Sequence, residues 1–299
     1  KIGVFVSCCI IILQILVTGN LRSVGLAGFP IMDFIIVALI FIVFYNYLLT
    51  KAIKFDYLVF SIIFIVFITT QSRFAWFGFL LSFIYGLLIL FKFSRGSLDK
   101  LKKSFFSLVL LFSVSILLVF ISGLDKVIFS RVLNINFDFF SSFEEGAVVT
   151  NSLESRILIW LTAYETFIHN PIFGVGYLMF GEVSESYNVL PQILFDNYVA
   201  TLDAHTTFLN FLVETGVVGL MCFLAYVISI FVFSFKALKL AKTKAQLDVS
   251  IIMNILVFFV IVHSIYSGAF TYGTNAYLMH YIFGLTIANF CILKNANLY

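Results

Sequence analysis

Apolar residues dominate this chain in runs of 16 to 29 positions, separated by short polar loops and by one long polar stretch at roughly residues 124 to 206. A hydrocarbon core about 30 Å thick takes about 20 apolar residues per helix, and backbone polar groups in lipid must bond within their own segment. The pattern therefore predicts eight membrane helices, at about residues 2 to 17, 31 to 50, 56 to 71, 74 to 91, 104 to 123, 207 to 235, 249 to 267 and 277 to 293. Thr69-Thr-Gln-Ser-Arg73 makes a tight turn between the third and fourth. The expected fold class is an all-α polytopic integral membrane protein. Residues 1–123 hold helices one to five, 124–206 form a large loop containing short helices, and 207–299 hold helices six to eight.

Composition excludes a soluble domain: 62% of residues are hydrophobic, 11% are charged and mean hydropathy is +1.10. Entry at Lys1 without a methionine, straight into an apolar run, leads to the expectation that upstream helices precede this chain. Residues 1 to 17 lack the small-residue cleavage pattern of a secretory signal and read as a span. Cys8, Cys9, Cys222 and Cys291 fall inside predicted spans, where thiols behave as small apolar groups, and no CxxC pair is present.

Charge adds an orientation. Thirteen of the eighteen Lys and Arg residues fall at Lys1 or in alternate loops, around 51 to 54, 92 to 103, 236 to 244 and at Lys294. Short positive loops stay cytoplasmic, so residues 18 to 30, 72 to 73, 124 to 206 and 268 to 276 are expected outside. The outer set includes the long loop, which holds ten of the fifteen acidic residues. The net charge of +3 is then an anchor toward anionic lipid and points to no nucleic acid. No nucleotide-binding loop is present either.

Within the loop, Asn151-Ser-Leu-Glu154 is a capping box that opens a helix to about His169, stopped by Asn170-Pro171. This amphipathic helix, about 152–169, carries Arg156, Trp160, Ala163 and Phe167 at helical spacing, a stripe facing either the membrane surface or the helix bundle. Pro171, Gly174, Gly176 and Gly181 mark turns. Asp203-Ala-His205-Thr206 is a second helix start, which places His205 in the first turn of a sixth helix long enough to tilt or to project above the bilayer. There the helix dipole disfavours imidazolium, and a neutral ring is what a general base needs. Taken singly, His205 reads first as a helix cap bonding a backbone carbonyl, Arg156 as a surface anchor or an ion-pair partner of Glu154 or Glu165, and Arg73 as a residue snorkelling to headgroups.

Ser72-Arg73 at a helix start, Ser155-Arg156-Ile-Leu-Ile-Trp160, Asn170-Pro-Ile-Phe-Gly-Val-Gly176, and His205 followed by Glu214-Thr-Gly-Val-Val-Gly219 occur in that order. This ordered set resembles the O-antigen ligase and polymerase superfamily of bacterial envelope glycan enzymes, over about residues 60 to 235. Members have around a dozen membrane helices, so the chain resembles the later two-thirds of a GT-C-like membrane glycosyltransferase. The resemblance implies glycan transfer from undecaprenyl diphosphate to an acceptor hydroxyl on the outer side of the bacterial inner membrane, the active loop facing the periplasm or cell exterior. The acceptor would be a lipid A core sugar for a ligase, or another lipid-linked repeat unit for a polymerase. Arg73 and Arg156 would neutralise the diphosphate in place of a metal, and His205 would activate the acceptor, giving a metal-independent, inverting transfer with no cofactor.

Glu214, nine residues after His205, falls on about the opposite helix face and is expected to bond a neighbouring helix near the outer surface. His263 and His280 read as interhelical hydrogen-bonding groups beside Tyr266 or Tyr281, Arg22 as part of a Gly-rich outer turn, and Glu182, Glu185, Asp196 and Asp203 as solvated carboxylates without a coordination pattern. A transporter or lipid-linked oligosaccharide flippase would share the helix count, but the paired Gly/Pro-broken helices of such folds are missing. A structural envelope component has only the lack of an obvious catalytic acid in its favour.

Overall fold

The computed structural model describes residues 73–93, 152–200, 203–268 and 273–296, together with Ile40, Ile63, Phe64 and Phe67. The spans expected at 2 to 17, 31 to 50 and 104 to 123, most of the one at 56 to 71, the loop before Ser152, and Arg22, Cys8 and Cys9 lie outside the described residues. In chain order the helices are α1 (Arg73–Phe93), α2 (Ser152–His169), α3 (Phe180–Val183), α4 (Gln192–Tyr198), α5 (Thr207–Leu240), α6 (Lys244–Tyr266) and α7 (Gly273–Ala296). A 3₁₀ turn, Ser184–Tyr187, follows α3. Four of these helices, α1, α5, α6 and α7, are long and apolar enough to cross a membrane.

The chain forms two compact units. The described part of the first contains α1, the end of α5 from Phe231, α6 as far as Phe259, and α7 from Ile282. Apolar packing gives little directional preference inside lipid, so polar side chains tie these helices together. Tyr85 Oη donates to Asn254 Oδ1 at 2.7 Å, and Asn254 Nδ2 donates to Ser234 Oγ at 2.7 Å, linking α1, α6 and α5. Asn289 Nδ2 reaches Ser250 Oγ at 3.0 Å, linking α7 to α6. Thr243 and Gln246 form a reciprocal capping box at the start of α6. That polar cap is why α6 begins five residues before the apolar run at 249.

The second unit spans Ile135–Ile230 and Val260–Tyr281. Its core sits under α2, where Leu158, Ile159 and Ala163 pack with Phe180, Leu194, Phe195, Val199, Ala204 and Val213. On the stripe of α2, Ala163 and Phe167 pack into this loop core, where the membrane surface or the helix bundle was expected.

The sixth predicted span is not one rod. At Gly216 the backbone of α5 leaves helical geometry, with φ 66 and ψ −169. In a straight helix, residues 12 apart would be separated by about 18 Å along the axis, yet the rings of Phe211 and Phe223 stack with centroids 4.2 Å apart. The helix bends sharply, and Val217–Leu240 is the membrane-length part.

Candidate active site

The bend frees backbone groups on both sides of Gly216, and a helix end without partners is costly where it is buried. The turn after α2 supplies them. Val175 and Gly176 N–H donate to Val213 and Glu214 carbonyls at 3.1 and 2.9 Å, while Val217 and Val218 N–H donate to Pro171 and Ile172 carbonyls at 2.9 and 3.3 Å. Such close backbone approach requires glycine. A Cβ on Gly174 would overlap the Glu214 backbone and one on Gly216 would overlap the Ile172 carbonyl, and both residues have positive φ. Glu214, only 1% exposed, accepts the Leu178 N–H at 3.0 Å and so holds Leu178 in its left-handed conformation, φ 62. The partner is loop backbone, where a neighbouring helix was expected, because the turn after α2 is brought against this stretch of α5.

At the other end of this helical segment, Thr206 Oγ1 accepts the Leu209 N–H at 3.1 Å and is the N-cap of α5. His205 therefore precedes the helix. This corrects the placement in the first turn, because both Asp203 and Thr206 are capping residues and the later one is used. His205 is left-handed, φ 52, a conformation that costs a non-glycine residue about 1–3 kcal/mol and concentrates at functional sites.

Asp203 holds that turn. Its Oδ1 accepts the His205 N–H at 3.2 Å and lies 2.6 Å from His205 Nδ1, with side-chain exposures of 17% for Asp203 and 37% for His205. Asn210, fully buried, donates to Asp203 Oδ2 at 3.4 Å and accepts the Ala204 N–H at 2.7 Å. Burial by itself pushes the Asp203 carboxyl up, but hydrogen bonds and charge from His205 and the bond from Asn210 outweigh it and hold the group below the usual carboxylate value. An ionised Asp203 accepting from Nδ1–H fixes the tautomer that presents Nε2 as the basic nitrogen.

The helix α2 brings in the arginine. Trp160 Nε1 donates to the Ala204 carbonyl at 3.1 Å, and Arg156 Nη1 donates to the Tyr266 carbonyl, at the last residue of α6, at 3.0 Å. Thr207 donates to the adjacent Ser267 carbonyl through both its N–H and its Oγ1, at 2.9 and 2.7 Å. Arg156 and the His205 turn thus converge on the C-terminal end of α6, where a cation is favoured. Burial pulls the Arg156 guanidinium below its ordinary value, and the negative charge of Asp203 offsets only part of that.

Of the three expected site residues, Arg156 and His205 share this neighbourhood. Arg73 is the first residue of α1 and belongs to the other unit. Asp203 is the member that sequence reasoning left as a solvated carboxylate; its position two residues before His205 is the signal of an Asx turn. Glu182, Glu185 and Asp196 are exposed, as expected, and Gln192 Nε2 donates to Asp196 Oδ1 at 2.8 Å. His263 is buried with its ring edge-on to Tyr266, and His280 lies beside Tyr226. Among the described residues, no group of three His, Cys, Asp or Glu side chains could hold a metal ion.

A family model described as O-antigen ligase matches residues 58–224, more than half of the chain. No curated protein matches.

Proposed function

This chain belongs to the O-antigen ligase family, and on that premise we propose that it moves glycan from undecaprenyl diphosphate to an acceptor sugar hydroxyl on the outer side of the bacterial inner membrane. Membership carries the coarse activity, glycosyl transfer in envelope polysaccharide synthesis by a membrane protein. The observation that supports the finer reading is the Asp203–His205 pair, with Oδ1 2.6 Å from Nδ1, at the end of the polar loop.

In this reading, the acceptor hydroxyl gives its proton to His205 Nε2 as its oxygen attacks the anomeric carbon of the donor sugar. The bond to the diphosphate breaks, its electrons leave on phosphate oxygen, and the anomeric configuration inverts. Asp203 stabilises the imidazolium that forms and keeps the ring oriented, as a buried carboxylate does for a catalytic histidine. Arg156, aimed by its bond to Tyr266, neutralises the leaving diphosphate, the charge match for which guanidinium is suited, and for Arg73 the same role rests on the family resemblance alone. The transfer then needs no metal. The Lys-rich loops face the cytoplasm and the 124–206 loop faces outward, where carrier-linked glycan is exposed.

The test is complementation of a deletion strain with H205A and R156A, read on a glycan ladder. Loss of about 10²–10⁴-fold in transfer is expected for H205A. Single repeat units retained without chain growth would identify a polymerase; carrier-linked polymer retained without capped lipid A core would identify a ligase. Normal ladders in both variants would overturn the site, and movement of lipid-linked glycan across vesicles without joining would replace it by the flippase reading.

A further inference from the structure

We propose that the charge-free turn Pro171–Met179 is a wedge seated in the headgroup and acyl boundary of the bilayer, at the end of α5 opposite its lysines. The inference is independent of which glycan the site transfers.

The placement comes first. Val217–Leu240 is about 36 Å long at about 1.5 Å per residue, close to the hydrocarbon thickness of about 30 Å. Lys236 and Lys239 mark one end of this segment. The bend at Gly216 then falls at the opposite membrane boundary, and Val217, Val218 and Met221, all exposed, begin the lipid-facing surface.

The turn is fastened to this boundary by the Val217–Pro171 and Val218–Ile172 backbone bonds. Its backbone faces α5 through Gly174 and Val175 packs against the core, while the other apolar side chains of the turn are left uncovered. Phe173 is 74% exposed and Ile172 59%, and Tyr177, Leu178 and Met179 are exposed as well. A run of exposed apolar and aromatic residues continuous with a lipid-facing helix surface is what an interfacial anchor requires; in water it would be a liability. A bilayer is the occupant favoured over a protein partner because the patch continues the membrane-embedded face of α5.

The experiment places F173W, and E185W as an aqueous control on the exposed Glu185, in proteoliposomes, with the signal of the two native tryptophans subtracted. Lipids brominated near the top of the acyl chain are expected to quench F173W at least twofold more strongly than E185W, and iodide at least twofold less. Equal iodide quenching at both positions would overturn the wedge. Insensitivity of F173W to both quenchers would also overturn it, because a second copy or another protein would then cover the turn. I172W gives the same reading if F173W does not fold.

Discussion

The two units use polar side chains in opposite ways. In the first, Tyr85, Asn254, Ser234, Asn289 and Ser250 pair with one another between helices whose backbones are regular. In the second, Arg156, Trp160, Asn210, Glu214 and Thr207 reach instead for backbone groups. Those groups lie at the end of α6, in the turn before α5 and at left-handed Leu178. The first pattern glues a bundle; the second holds irregular chain in place around His205. The contrast teaches where substitutions should be merely loosening and where they should be disabling.

The largest break in that contrast is expected at Gly216. G216V combines a positive φ, costing about 1–3 kcal/mol, with overlap onto the Ile172 carbonyl. Folded protein should be lost, measured as the monodisperse fraction after detergent extraction. Next comes D203N, which should keep its thermal midpoint within a few degrees while transfer falls by about 10²-fold or more, because the amide no longer selects the reactive tautomer. Retained activity would separate Asp203 from His205.

E214A should destabilise by about 1–3 kcal/mol, the cost of leaving the Leu178 N–H without its acceptor. N254A should cost only about 0.6 kcal/mol per lost interhelical bond and leave transfer unchanged. A large loss of activity in N254A would dissolve the distinction between the units.

The smallest effect concerns acid. The Asp203 value is depressed on folding, so its contribution to stability is complete above the unfolded value, about 3.9. It is lost as pH falls through the lower folded value. Thermal unfolding between pH 7 and pH 3 should show this loss in the wild type and not in D203N.

Much of the scaffold was legible because hydropathy reports what lipid requires. The apolar runs at 249 to 267 and 277 to 293 correspond to α6 and α7, and the ends differ where polar caps extend a helix beyond the run, as Thr243 and Gln246 do. The stop at Asn170-Pro171 was likewise local chemistry, and α2 ends at His169. The site was less legible for physical reasons. Periodicity carries no φ angle, so the left-handed turn at His205 was hidden behind two competing caps. Gly216 read as part of an ordered motif, but its function in the fold depends on Gly174 and Ile172, some forty residues earlier. The Glu214 partner is 36 residues away and was accessible only once the turn after α2 was placed.

The bend at Gly216 also has a mechanical meaning. Thr207–Thr215 is a stiff arm about 13 Å long, pivoting at Gly216 and carrying the histidine turn at its tip. A swing of roughly 10° moves that tip by roughly 2 Å, which is large against the ångström-scale tolerance of a reacting geometry. The four backbone bonds that clasp the bend therefore set the position of His205, from the far end of the lever.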